Sequence, residues 1–108
     1  MHTLTYSLDN DRLTVFIERD IDHHGAETLR AEIDRLVDAT NPAALILDFD
    51  SVEFMDSSGI GLIMGRYKKM QALGRKTCVQ SLNPRCKRLV ELSGILEIVT
   101  YLDGGTAK

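Results

Sequence analysis

A chain of 108 residues, 44% hydrophobic and 27% charged, has the size of one domain and enough apolar material for a real core. Its formal net charge of −3 gives no global field to gather nucleic acid or an acidic membrane surface, and the short basic clusters Lys68-Lys69 and Arg85 to Arg88 read as solvated helix faces. No run approaches the roughly 20 apolar residues of a membrane span. The alternating start Met1 to Tyr6 lacks the charged head and apolar run of a signal peptide. Cys78 and Cys86, without any ligand spacing, read as buried reduced thiols of a cytoplasmic protein.

In chain order, Thr3 to Leu8 alternates apolar and polar residues, Asp9-Asn10-Asp11 supplies a turn, and Leu13, Val15 and Ile17 alternate again. This predicts a β-hairpin. Asp20 to Gly25 reads as a polar loop. From Ala26 the spacing changes to Leu29, Ile33, Leu36 and Val37, one face of a helix that Asn41-Pro42 ends. Ala43 to Phe49 is nearly all apolar, as a central strand covered on both faces should be. A second helix follows Ser57, with Ile60, Ile63, Met64, Tyr67 and Met70 on one stripe and Gly74 placed to stop it. Lys76 to Gln80 reads as a short strand. Asn83 with Pro84 predicts an N-cap and first helical position, Gly94 the helix end, and Leu96 to Leu102 a last strand. Asp103 to Lys108 reads as a frayed tail. The order β-β-α-β-α-β-α-β defines an α/β fold, one domain over 1–108 with a mixed sheet and helices packed on it.

The most informative stretch is Asp56-Ser57-Ser58-Gly59, which joins an apolar strand to an apolar helix. Asp and Ser are preferred N-caps, yet one cap needs one oxygen and here there are three in a row. Backbone N–H groups at a helix start lack partners and favour negative charge, so this turn suits a phosphate, either on a ligand or on a serine. Gly59, Gly61 and Gly65 follow a strand, the context of a nucleotide loop, but their spacing is one residue too long for G-x-G-x-x-G and no Gly-Lys-Ser/Thr occurs. A smooth strip where this helix presses on a neighbour or partner explains Gly61 and Gly65 better, with nucleotide binding as the alternative. Asp22-His23-His24-Gly25 lacks further ligands at metal spacing. Asp22 is instead expected beside the Asp56 turn, because both occupy strand-to-helix junctions on one edge of the sheet. Ser57 lacks the G-x-S-x-G elbow of a hydrolase, and a receiver-type phosphoacceptor would need an acidic pair and a lysine that are missing. The residues therefore point to a binding protein without cofactor, metal or catalytic residue.

Phe54 to Lys68 closely resembles the anti-sigma factor antagonists of the STAS-domain family. Asp22 to Leu29 looks like their loop and first helix, and Pro84 to Leu89 with Leu92 to Leu96 is similar to their third helix. The resemblance runs from about Leu13 to Val99 and leans to the sporulation branch, with a stress-response STAS regulator as the alternative. It implies a protein that binds an anti-sigma factor serine kinase and makes it release its sigma factor. It also implies that the kinase phosphorylates Ser57, that a serine phosphatase reverses this, and that ATP belongs to the kinase. Asp22, His23, His24, Asp56, Ser58, Gly59 and Gly61 are the implied partner-binding residues. Two departures stand out. Arg19-Asp20 replaces the usual Gly-Glu, which suggests a different backbone path, and the chain after Thr100 is short for the final helix usual in the fold.

Overall fold

The computed structural model describes residues 3–102. The expected tail 103–108 lies outside the described residues. β1 (Leu4–Asp9) and β2 (Arg12–Ile17) form the hairpin. Its two-residue turn sets Asn10 and Asp11 at φ 52° and 68°, the type I′ geometry whose twist matches the flanking strands and which Asn and Asp tolerate. β3 (Ala44–Asp48), β4 (Lys76–Gln80) and β5 (Thr100–Leu102) run parallel to β2, and the sheet order is β1-β2-β3-β4-β5. Each parallel step is a crossover through one helix: α1 (His23–Thr40), α2 (Ser57–Ala72) and α3 (Pro84–Ser93).

The helices pack on the face formed by Leu13, Val15, Ile17, Leu45, Leu47 and Val79, which joins Leu29, Ile33, Ile63, Met70 and Val90 in one core. β3 lies in the middle of the sheet, which is why Leu45, Ile46 and Leu47 are all buried and its sequence does not alternate. The opposite face carries Thr14, Phe16, Ile46, Asp48, Cys78 and Gln80. There Asp48 is held by the Gln80 amide at 2.7 Å and by the Asp50 N–H at 2.9 Å, so its burial leaves no naked charge. Ile46 and Cys78 are buried on that face, while Phe16 and Leu102 remain half-buried. Both cysteines are free and buried, and burial pushes their thiols up in pKa, toward the unreactive form.

Two sequence expectations need correction. α1 starts at His23 and not at Ala26, because Asp22 caps it: its carboxylate accepts from Gly25 N–H at 2.7 Å. The polarity of the Asp22-His23-His24 run concealed a first helical turn. The segment from Leu96 is also not a single strand. Gly94 turns left-handed at φ 82°, Ile95–Glu97 forms a 3₁₀ turn whose Ile95 plugs the core, and strand pairing resumes only at Thr100.

Asn83 does two jobs at the start of α3. Its side-chain oxygen caps Cys86 N–H at 2.8 Å, and its amide nitrogen donates to the carbonyls of Val52 and Glu53 at 3.1 and 3.2 Å. Asn83→Ala should therefore cost about 1–3 kcal/mol in urea unfolding, and Asn83→Ser should restore only the capping share.

Candidate functional site

At one end of the sheet the crossings from β2 to α1 and from β3 to α2 run side by side. Ile21 N–H donates to Phe54 carbonyl at 3.0 Å and Asp56 N–H to Ile21 carbonyl at 3.1 Å, a single parallel bridge between Ile21 and Met55. Both bridge residues are apolar and buried, so the core anchors the crossing. Asp20 adds a second tie, its carboxylate accepting from Glu53 and Phe54 N–H at 2.9 and 3.0 Å. Arg19 and Asp20 both avoid positive φ. The backbone here therefore demands no glycine, and Asp20 supplies the loop-to-loop contact.

One residue beyond each bridge partner stands a helix cap. Asp22 caps α1, and Asp56 caps α2 by accepting from Ser58 N–H at 2.8 Å. The expected neighbourhood of Asp22 and Asp56 is thus what the fold builds. Ser57 is the first residue of α2 and exposed; Asp56 does the capping, so the Ser57 hydroxyl is spared that task. Ser58 is half-buried behind it. His23 and His24 occupy the first turn of α1, both exposed, with rings edge to face at 6.0 Å. Among the described residues, no group of three His, Cys, Asp or Glu side chains is placed to hold a metal.

The glycines divide into two kinds. A Cβ on Gly59 would fall 2.6 Å from Met55 Sδ and 3.2 Å from its Cβ and Cγ, so a side chain there would have to displace the buried bridge residue. A Cβ on Gly61 or Gly65 would meet no neighbouring element within 4 Å. The expectation that they press against a neighbouring element of the chain is not met. They instead floor an open groove of about 350 Å³ between α1 and α2, walled by His23, Glu27, Arg30 and Arg66. All three glycines are inside α2 and none is in the loop before it. The observation behind a nucleotide loop is therefore gone.

Arg66 is the residue that sequence reasoning missed. It is only 6% exposed and reaches across to α1, with Nε 2.8 Å from Asp34 Oδ1 and Nη2 3.4 Å from Asp34 Oδ2. Burial pulls its pKa down and the Asp34 carboxylate opposes this; a guanidinium stays charged regardless. One turn on, Lys69 pairs with Asp38 at 3.0 Å. The i, i+4 acids of α1 and the bases of α2 are visible in the sequence, but their meeting depends on how the helices cross.

The fold is thus a five-stranded mixed sheet crossed by three helices, with an exposed serine where two of those helices start side by side. A STAS-domain model matches residues 5–107, and the chain belongs to the STAS-domain family. It is similar to the anti-sigma F factor antagonist of Paenibacillus polymyxa, 33% identical over 91 residues that cover 84% of this chain and 78% of the relative. The anti-sigma-B factor antagonist of Bacillus subtilis is 31% identical over 91 residues, covering 84% and 81%. The structure of the antagonist SpoIIAA in its unphosphorylated form matches with a TM-score of 0.79 at 24% identity over 96% of this chain and 91% of that one. An anti-sigma factor antagonist from Mycobacterium paratuberculosis matches with a TM-score of 0.81 at 25% identity, over 92% and 83%. Within the family, the chain falls among the anti-sigma factor antagonists.

The geometry separates the glycines by experiment. Gly59→Ala should destabilise by about 1–3 kcal/mol through overpacking against Met55. Gly61→Ala should be neutral or stabilising by up to about 1 kcal/mol, since it improves helix propensity in open space; thermal and urea unfolding compare the two. Asp22 provides a pH test. The Gly25 N–H holds its carboxyl below the ordinary value of 3.8, so its contribution is present above that value and fades as pH falls through the lowered pKa. Asp22→Asn should accordingly lower stability at neutral pH and shrink the loss on acidification, read as urea midpoints across the acid range.

Proposed function

We propose that the unphosphorylated chain docks through the paired starts of α1 and α2 onto an anti-sigma factor that is also a serine kinase. Docking makes that protein release its sigma factor, and phosphorylation of Ser57 ends the interaction. The observation that carries this reading is the division of labour at the helix start: Asp56 makes the cap, and Ser57 presents its hydroxyl to solvent beside it. A phosphate added there breaks no hydrogen bond of the fold. It gains from the α2 N-terminus and is crowded by the Asp56 carboxylate, so the domain stays folded while its docking face acquires roughly two negative charges.

Asp22, His23, His24, Asp56 and Ser58 form the rim of that face, Gly61 opens the groove beside it, and Gly59 keeps the helix start seated on Met55. A charge without a partner in a desolvated interface is expensive, which makes a phosphate there an effective off switch. A serine phosphatase resets it. ATP enters with the kinase, so this chain is a substrate and competitor, not an enzyme. Kinship supports the reading: relatives are antagonists of anti-sigma F and anti-sigma-B factors, and structures of SpoIIAA exist in phosphorylated and unphosphorylated forms. The likeness to the anti-sigma F factor antagonist favours a sporulation pathway, and the free buried thiols accord with the cytoplasm.

Incubation with ATP and the anti-sigma kinase of the same genome, followed by intact mass and peptide mapping, should add one phosphate at Ser57 and none in Ser57→Ala. Ser57→Ala should keep its affinity for the kinase. Ser57→Asp should bind about tenfold or more weakly with an unchanged melting temperature. Kinase binding by Ser57→Asp as tight as the parent's overturns the electrostatic account.

A further inference from the structure

The outer edge of β1 is open, and the hairpin tells which backbone groups it offers. Glu18 N–H donates to Thr3 carbonyl at 2.9 Å, and the antiparallel register then sets Leu4 against Ile17, Tyr6 against Val15 and Leu8 against Leu13. Hydrogen-bonded and non-hydrogen-bonded pairs alternate along such a ladder. Thr3, Thr5, Ser7 and Asp9 therefore spend their backbone groups on β2, and the N–H and C=O groups of Leu4, Tyr6 and Leu8 point away from the sheet. Those same residues share a face with the buried Ile17, Val15 and Leu13, so their side chains stand on the helix side. Tyr6 is 53% and Leu8 48% exposed, and Leu4, Tyr6 and Leu36 line a groove of about 410 Å³ between β1 and α1.

Soluble proteins ordinarily guard such an edge with Lys, Pro, a bulge or a covering element. From Leu4 to Leu8 there is no charge and no proline, the register shows no bulge, and among the described residues no element pairs with this edge.

We propose that the β1 edge is a self-association site that pairs, antiparallel, with the β1 edge of a second copy of this chain about a two-fold axis at Tyr6. The sequence of β1 is self-complementary in that register. Tyr6 meets Tyr6 of the second copy and Leu4 meets its Leu8, and each of these is a residue with outward backbone groups, so every pair exchanges both hydrogen bonds. Thr5 meets Ser7 on the other face. A slip by one residue would oppose outward groups to groups already spent on β2. An edge that satisfies itself in this way makes an isologous contact and closes at two copies. The apolar groove floor, half-exposed in one chain, is covered by the Tyr6 and Leu8 side chains across the axis. Asp22, Asp56 and Ser57 are not on this edge, so both docking faces stay open in the pair.

Sedimentation equilibrium of the full chain over a concentration series tests this. The expected result is a reversible species of twice the 12.1 kDa mass of one chain. In Tyr6→Lys, like charges stand directly opposite across the axis, so self-association should weaken about tenfold or more. Thr100→Lys, on the strand at the far edge, should leave it unchanged. Amide exchange of the parent chain needs no variant: the Leu4, Tyr6 and Leu8 N–H groups should gain protection as concentration rises, while those of Thr5 and Ser7 stay protected throughout. A monomer up to about 1 mM, or a dimer whose Leu4, Tyr6 and Leu8 amides remain unprotected, overturns the proposal.

Discussion

The Ile21–Met55 bridge is a small contact on which the site depends. Two loops that each lead from a strand to a helix are joined by a pair of backbone hydrogen bonds and pinned to the core by two buried side chains. Because each N-cap follows its bridge residue directly, the bridge fixes Asp22 and Asp56 relative to one another more tightly than either loop could alone. Asp20 reinforces it by accepting from the N–H groups of Glu53 and Phe54 that the bridge leaves over. Gly59 belongs to the same device, since its missing side chain lets the helix close onto Met55.

That arrangement sets the chemistry of Ser57. A serine that caps its own helix is a structural residue, and modifying it would disturb the helix start. Here the carboxylate of the preceding residue performs that function, and the hydroxyl is left for something else. The cap and the free hydroxyl thereby sit on adjacent side chains, so Ser57 can change without loss of the cap. The same separation appears one layer deeper. Arg66 and Asp34 hold α1 and α2 together beneath the groove, and Gly61 and Gly65 keep its floor low without contributing contacts to the fold.

The middle and the β1 edge of the sheet also differ in consequence. β3 is covered by neighbours on both sides and supplies the centre of the core, whereas β1 has one paired edge and, among the described residues, one open edge that carries Leu4, Tyr6 and Leu8 on its helix side. An open, uncharged edge is usually avoided because it invites pairing. On a chain that otherwise caps its helices and pairs its buried Asp48 and Arg66, it is the edge we propose for self-association.

The sequence alone determined the elements and their order, because those follow from local periodicity and from caps and turns a few residues long. The hairpin turn at Asn10-Asp11, the Asn83-Pro84 helix start and the unbroken apolar run of β3 are signals of this kind. The Asp56-Ser57-Ser58-Gly59 start was equally legible as a helix cap with hydroxyls to spare. Tertiary structure alone decided that Arg66 is buried against Asp34 of α1. It also turned Gly61 and Gly65 from a packing strip into the floor of a groove. Each of these depends on the angle and distance at which one element meets another. A crossing between helices, or a bridge between residues more than thirty apart in the chain, leaves no periodic trace in the residues that make it.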